Sequence, residues 1–168
     1  VRFGVSPIVW SNDDLRHLGG KTPLEICLRE ARAAGYEGVE LGHKFPRQAQ
    51  KLRPILDTHG LALVSGWYEG LLGEHSPEKE IAALTPHAEL LSALGSEILI
   101  FAECAGTVHG CIDTPLTDRP QLDDQGWKRL ATGLNQVAAH LAGKKLRLAY
   151  HHHMGTVVQT EDEIDRLM

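Results

Sequence analysis

The segment TPLEICLREARAAGYEGVEL, residues 22–41, contains a helix signal followed at once by a strand signal. Thr22 and Glu25 have the spacing of a capping box, and Gly35 suits the end of a helix. The apolar residues between them recur on one face, so we expect this helix to lie on a sheet. The short aliphatic run at residues 37–41 then predicts a β-strand.

The same alternation of strand and helix repeats along the chain. Predicted strands cover residues 3–8, 37–41, 61–67, 97–102 and 146–151. Predicted helices cover residues 22–35, 48–59, 77–94, 123 or 124 to about 142, and 160–168. Because Pro86 lies inside the third helix, we expect a kink or a break near Thr85. In the fifth helix, Thr160 and Glu163 form a second capping box.

This alternation predicts an α/β fold with a parallel sheet. Two architectures remain open: an open doubly wound sheet, or the first part of an eight-unit βα barrel, which takes about 250 residues. No GxGxxG or Walker motif follows the first strand, so nucleotide-binding open sheets have no support. At 168 residues the chain holds one domain, residues 1–168, and its last helix has no stop signal. We therefore expect a single partial domain that is truncated at its C-terminus.

Composition excludes several classes of partner. The 17 basic residues are scattered and the formal net charge is -5, so a nucleic acid partner is not expected. Cys27, Cys104 and Cys111 support neither a disulfide framework nor a zinc ribbon, which favours a reducing compartment. No apolar run approaches the roughly 20 residues of a membrane span, and residues 1–10 lack a leader pattern. We expect a soluble, cytoplasmic protein with no membrane partner.

Polar, titratable or aromatic residues follow every predicted strand. They lie in the segments 10–14, 40–44, 66–70, 102–106 and 150–155. In parallel α/β folds, functional groups collect at the C-terminal ends of the strands. The set as a whole therefore predicts a site at one edge of the sheet.

Four titratable residues are candidates for chemistry. Glu40 lies in an apolar strand, where it could be a general base, a hydroxyl acceptor or half of a structural ion pair. His43 and Lys44 follow it and could contact an oxyanion or a ketone oxygen, or only solvent. Glu103 opens a long segment without helical pattern, residues 103–122, which we interpret as a lid or substrate loop.

Two tryptophans and one cysteine are weaker candidates. Trp10 and Trp67 follow neighbouring strands and could form an apolar wall for a ring-shaped substrate, although aromatic residues of this kind more often pack in the core. Cys104 could be a nucleophile only with a lowered pKa, and a small buried apolar role is the favoured interpretation.

The histidine run YHHHMG, residues 150–155, follows the fifth strand. It is followed by TVVQTEDEIDRLM, so it does not resemble a terminal tag. Strand alternation predicts His151 and His153 on one side and His152 on the other. Two imidazoles in register favour a metal or substrate role, with hydrogen-bonded structural histidines as the alternative.

Three stretches carry a resemblance to a known family. They are residues 6–46, with NDDL and GVELGHKFP; residues 101–110, FAECAGTVHG; and residues 146–168, with YHHHMGT. Together they resemble the myo-inosose-2 dehydratases of the xylose isomerase-like TIM-barrel superfamily. The resemblance implies a TIM barrel of which this chain holds about the first five of eight βα units. It also implies a lyase of inositol catabolism that removes water from 2-keto-myo-inositol and gives a deoxy-diketone. A sugar isomerase or epimerase, or a non-catalytic polyol-binding module, remains an alternative.

The resemblance also assigns roles. Related barrels carry a glutamate metal ligand in a pattern like LALExH, and here LAYHHH places His151 at that position. A divalent metal, manganese or cobalt, is therefore expected on His151, with its other ligands beyond Met168. Glu40, Lys44 and Glu103 are the expected catalytic residues. The expected substrate-binding residues are Trp10, Asn12, Asp13, His43, Trp67 and His153. The open edges of a part-barrel would aggregate or recruit another chain, so a homo-oligomer is also expected.

Overall fold

The computed structural model describes residues 3–168; Val1 and Arg2, which begin the stretch without a leader pattern, lie outside it. Five strands form one sheet: β1 (Gly4–Val5), β2 (Gly38–Leu41), β3 (Ala62–Gly70), β4 (Ile98–Glu103) and β5 (Arg147–Tyr150). All neighbouring strands are parallel, in the order β1-β2-β3-β4-β5.

The strand order decides between the two predicted architectures. In a doubly wound sheet the order reverses at a switch point, because helices must cover both faces. Here each strand is added beside the previous one, so the chain winds in one direction, as in a barrel. The predicted α/β part-barrel is therefore confirmed.

The helices follow the predicted positions closely. They are α1 (Leu24–Ala33), α2 (Ala49–His59), α3 (Pro77–Ala93), α4 (Asp124–Gly143) and α5 (Glu161–Leu167). Gly60 ends α2 at a φ of 61°, a left-handed conformation that glycine adopts without steric cost. The Asp123 carboxylate caps α4 by accepting the N–H of Gly126 at 2.7 Å. The capping box of Thr160 and Glu163 is present at α5, as predicted.

The expected capping box at α1 is wrong. Pro23 is the N-cap of this helix and offers no side-chain hydrogen bond. The carbonyl of the preceding Thr22 instead accepts a hydrogen bond from the Lys44 ammonium group. This tertiary contact fixes the residue before the helix against the loop after β2, and it provides no acceptor for the N–H groups of the first helical turn.

Of the kink or break predicted near Thr85, the break is wrong, because α3 is continuous through Pro86, and the kink stays a prediction. Proline removes one backbone donor, and the buried side chains Leu84 and Ala88 still hold the helix against the rest of the core. The Thr85 hydroxyl donates to the Ile81 carbonyl at 2.7 Å, which gives one carbonyl of the preceding turn a partner.

β1 is shorter than predicted. Residues Pro7–Val9 form a 3-10 turn, and the Ser6 hydroxyl accepts the N–H of Ile8 at 3.5 Å. Pro7 has no N–H for a strand ladder, which explains why pairing stops at Val5. The chain therefore turns away from the sheet before the polar residues that follow β1.

The core lies between the sheet and the helices. Leu99 and Phe101 of β4 and Leu84 and Leu91 of α3 are fully buried in it. On the sheet, Val64 lies close to the glycines Gly4 and Gly38 of the two preceding strands, yet it is 40% exposed. Within residues 3–168 no helix combines the length and the apolar character that a membrane span requires.

Candidate functional site

A register shift places Glu40 opposite a serine. The pairing of β2 with β3 shifts between Val39 and Glu40, so that Val39 faces Leu63 and Glu40 faces Ser65. The Ser65 hydroxyl donates to Glu40 Oε2 at 2.8 Å. Glu40 is half-buried and has this hydroxyl donor, so it is hydrogen-bonded to Ser65 rather than to a basic side chain.

The turn after β1 is built around Asn12. Its side-chain oxygen accepts the backbone N–H of Asp14 at 2.9 Å and of Leu15 at 2.6 Å. This Asx-type turn fixes the backbone on which Asp13 and Asp14 stand. The predicted substrate-binding role of Asn12 stays a prediction, and its oxygen is already engaged in the turn.

Asp13 binds a histidine from the next strand end. Its Oδ1 lies 2.5 Å from His43 Nδ1, and the same oxygen accepts the His43 backbone N–H at 3.4 Å. The two side chains are 20% (His43) and 35% (Asp13) exposed. Among the described residues nothing is hydrogen-bonded to His43 Nε2, so this nitrogen is left for another partner.

Asp14 binds a second histidine, His109, which was not singled out from the sequence. His109 Nε2 lies 3.5 Å from Asp14 Oδ1, and Nδ1 lies 2.7 Å from the Thr107 hydroxyl. The His109 side chain is only 8% exposed. The sequence placed His109 in the predicted lid segment, but no spacing rule connects it with Asp14, 95 residues earlier.

Trp67, which lies within β3, forms an aromatic cluster with His151 and His153, which follow β5. The Trp67 ring centroid lies 4.7 Å from that of His151 and 5.6 Å from that of His153, both edge-on. Favourable edge-to-face contacts of this kind fix the rings relative to one another. His151 and His153, which were predicted to share a side, have ring centroids 5.6 Å apart and lie against the same tryptophan.

The expected position of His152 on the opposite side is wrong. Its ring is stacked with that of His151, with centroids 6.0 Å apart and an angle of 20° between the planes. β5 ends at Tyr150, so the three histidines lie beyond the strand and do not follow its alternation. Partial burial, with the charges of His153 and His152, lowers the pKa of His151.

The loop after β4 is attached to the turn after the histidines. The Val108 N–H and the Thr107 hydroxyl both donate to the Gly155 carbonyl, at 3.0 and 2.8 Å. Gly155 has a φ of 78°, and a Cβ there would lie 2.8 Å from the His109 backbone nitrogen. This close approach brings the ring of His109 to 4.8 Å from that of His153.

The second half of the 103–122 segment is held by Arg119. Its guanidinium donates to the Thr156 carbonyl at 3.0 Å and to Glu163 Oε1 at 2.7 Å. Burial opposes ionisation of Glu163, but hydrogen bonds from Thr160 and Arg119 outweigh it and lower its pKa to about 2. The predicted lid is thus anchored at two points; its movement over a substrate stays a prediction.

Glu103 lies in a different environment from Glu40. It is 2% exposed and accepts three backbone N–H groups: Leu72 at Oε2, at 2.8 Å, and Gly73 and Ala105 at Oε1, both at 3.1 Å. Burial raises its pKa, and the three donors partly offset this effect. The carboxylate lines a cleft of about 270 Å³ beside α4. Its catalytic role stays a prediction, and its contacts are those of a group that holds two loops together.

Lys44 and Trp10 contact elements outside the aromatic cluster. Lys44 Nζ donates to the carbonyls of Gly19, Gly20 and Thr22, so it fixes the loop before α1. Trp10 Nε1 donates to Glu30 Oε2 of α1 at 2.7 Å. The expectation that Trp10 and Trp67 lie on neighbouring strands is wrong, because β2 lies between β1 and β3, and the two rings have different partners. The catalytic role of Lys44 and the substrate-binding role of Trp10 stay predictions.

The thiol of Cys104 is buried. Burial raises the pKa of the Cys104 thiol to about 12, with contributions from Glu69, Glu103 and Asp14, which agrees with a buried apolar role.

Residues 3–168 contain no group of three or more His, Cys, Asp or Glu side chains arranged to hold a metal. His151 and His153 offer two imidazoles, so these residues do not by themselves form a complete metal site.

The strand order and the polar groups at the strand ends define a βα-barrel protein whose candidate site lies at the C-terminal edge of its sheet. The model of the xylose isomerase-like TIM barrel family matches residues 28–168. The chain belongs to this family.

Curated relatives extend the match to the whole chain. It is 44% identical over 168 residues to the rhizopine catabolism protein MocC of Rhizobium meliloti and 38% identical over 169 residues to an inosose dehydratase of Clostridium perfringens. The chain covers 52% and 57% of these two proteins, so it spans about half the length of the curated relatives it matches. The resemblance to the inosose dehydratases is therefore confirmed over all of this chain.

Solved structures confirm the fold alone. A xylose isomerase-like TIM barrel protein from Mycobacterium smegmatis, in complex with magnesium, has a TM-score of 0.68 at 14% identity. A probable 3-DHS dehydratase from Bacillus anthracis has a TM-score of 0.66 at 16% identity. The matches cover 99% of this chain and 60% and 58% of those chains.

Proposed function

We propose that the protein carrying this chain is a hydro-lyase that removes water from 2-keto-myo-inositol, giving a deoxy-diketone. The observation that carries the proposal is the similarity of the whole chain, at 34 to 38% identity, to inosose dehydratases from several bacteria. Rhizopine catabolism, named for the 44% identical relative, does not conflict with a polyol substrate.

The reaction needs a base for the acidic proton beside the ketone and an acid for the departing β-hydroxyl group. Glu40 is the better base of the two predicted glutamates, because its only described side-chain partner is the Ser65 hydroxyl, whereas the oxygens of Glu103 accept three backbone donors. Trp67 and His153 offer ring faces and edges against the C–H groups of a cyclitol ring. Asp13 and His43 supply a carboxylate and an imidazole at the ends of β1 and β2.

A divalent metal also belongs to the proposal, with manganese or cobalt as the ions that the resemblance implies. A solved relative of the same fold is a magnesium complex. When bound, such an ion would polarise the ketone oxygen. His151 would be one ligand, and the resemblance leads us to expect the remaining ligands beyond Met168. A cytoplasmic location and a homo-oligomeric state likewise stay predictions.

The test is product analysis with the whole protein. Incubation with 2-keto-myo-inositol in the presence of manganese is expected to release one water per turnover and to give the dione, which NMR and ultraviolet absorbance both detect. Conversion to an isomeric ketocyclitol without loss of water would instead support an isomerase or epimerase. Saturable binding of the ketone without any conversion would support a polyol-binding module. Either of the last two results would contradict the proposal.

A further inference from the structure

We propose that His43 donates the proton that lets the β-hydroxyl group leave as water, and that Asp13 is the positioning residue that orients it. The inference rests on the proposed dehydration and adds to it the identity of the acid. It starts from one contact: a single carboxylate oxygen of Asp13 binds both the ring and the backbone N–H of His43.

The contact determines which ring nitrogen is free. Nδ1 donates to the carboxylate 2.5 Å away, which leaves the second nitrogen, Nε2, as the one that a substrate group can approach. The two contacts to one oxygen also limit rotation of the ring. The carboxylate is itself fixed, since the Asn12 oxygen holds the turn by accepting two backbone N–H groups.

His109 is the contrasting case, because both of its ring nitrogens lie against protein groups. It is held by the neighbouring aspartate, Asp14, but its other nitrogen lies 2.7 Å from the Thr107 hydroxyl and the side chain is nearly buried. Both of its nitrogens are engaged within the protein. The same turn therefore positions two histidines, of which only His43 retains a nitrogen for a ligand.

The step balances without any further reactant. Glu40 takes the proton from the carbon beside the ketone, and the electron pair of that C–H bond forms the C=C bond of an enol. The β-carbon–oxygen bond breaks, and the proton on His43 Nε2 passes to the leaving oxygen, which departs as water. The enol then tautomerises to the diketone, and Glu40 and His43 exchange their protons with solvent.

A change of leaving group tests the assignment. Fluoride departs without protonation, so an analogue with fluorine in place of the β-hydroxyl group needs the base but not the acid. In the whole protein, His43→Gln is expected to lower kcat/KM on the hydroxyl substrate by about 10² to 10⁴. On the fluoro analogue the same variant should stay within about tenfold of the wild type. Asp13→Asn should show the same preference, because the asparagine no longer fixes the proton on Nδ1.

Control measurements distinguish proton donation by His43 from a structural effect of the substitutions. His17→Ala changes an exposed histidine in the loop that carries Asp13, and it should leave both activities unchanged. Thermal melting of each variant shows whether it folds. Equal losses on both substrates in folded variants, or no loss on the hydroxyl substrate, would overturn the role of His43 and leave the proposed function standing. Failure of the wild type to eliminate from either substrate would refute the proposed function, and the acid role with it.

Discussion

Two glutamates at the ends of strands illustrate how differently the same side chain is used. Glu40 is half-buried beside one hydroxyl, whereas Glu103 is buried and accepts three backbone N–H groups. Both were expected to be catalytic from the sequence, since each is a carboxylate at the end of an apolar strand. Glu103 thus holds two loops together through its contacts, whereas those of Glu40 leave it available for the proposed reaction.

Glutamine substitutions distinguish the two roles. Glu103→Gln would place an NH₂ group against a backbone N–H donor, either that of Leu72 or those at Oε1, so the free energy of unfolding should fall by roughly 1 to 3 kcal/mol. Glu40→Gln can keep its hydrogen bond to Ser65 and should lose activity with little change in stability. Denaturant unfolding and turnover are the two measurements. A stable Glu103→Gln protein without activity would show instead that Glu103 acts in the chemistry.

His87 of α3 predicts a pH dependence of stability. Its Nε2 is buried without a hydrogen-bond partner among the described residues, and burial, together with the charge of Arg47, lowers its pKa from 6.5 to about 4. The unfolded chain therefore binds this proton at a higher pH than the folded chain does. The contribution to stability is complete above pH 6.5 and is lost as the pH falls toward about 4.

The expected loss over that interval is up to about 3 kcal/mol in the free energy of unfolding. His87→Leu removes the titrating group and should flatten the pH dependence of the free energy of unfolding between pH 6.5 and 4. Urea unfolding at several pH values measures both curves. An unchanged slope in the variant would assign the acid sensitivity to other groups.

At the scale of elements, the packing of β3 on β4 depends on the absence of a side chain. A Cβ at Gly70 would lie 1.9 Å from the Phe101 ring, and Phe101 is fully buried. The ring has nowhere to move without opening the core. The glycine thus lets the end of β3 approach the aromatic side chain of the next strand.

Gly70→Ala is accordingly expected to destabilise the protein by about 1 to 3 kcal/mol or more, because overpacking forces the backbone or the ring to shift. Gly143→Ala is the matched control, because a Cβ at this last residue of α4 would meet no atom of a neighbouring element within 4 Å. Alanine is the better helix former there and should stabilise by up to about 1 kcal/mol. Thermal melting compares the two, and equal melting temperatures would refute the packing argument.

At the scale of the whole molecule, the described residues form a sheet with helices packed on one face. The other face carries Val64, which is 40% exposed and lies beside Gly4 and Gly38. β1 and β5 each have one neighbour, so each leaves one edge unpaired within residues 3–168. Such edges and apolar faces favour association with another chain or segment.

Residues 1–168 expressed on their own are therefore expected to self-associate, and light scattering would measure the mass. Val64→Lys places a charge on the open face and should reduce association. Ile112→Lys is the control, because Ile112 is 71% exposed but lies in the loop after β4. A monomeric wild-type chain, or equal effects of the two lysines, would contradict the role given to the open face.

Much of this organisation was determined by the sequence itself. The five strands, the helices between them and the caps of α4 and α5 follow from periodicity and from residues a few positions apart, so local physics is sufficient to predict them. The polar residues at the strand ends were visible for the same reason, because strand direction fixes their edge of the sheet.

The tertiary structure alone decided which of these residues meet. Asp13 and His43 are 30 residues apart, and Glu103 accepts the N–H groups of Leu72 and Gly73, which are 31 and 30 residues away. Asp14 with His109, and Thr22 with Lys44, are likewise pairs far apart in the chain. No local spacing encodes such contacts, since they depend on the order of the strands and the path of the loops. The sequence thus determined where the site would lie, and only the folded chain decided which partner each side chain has there.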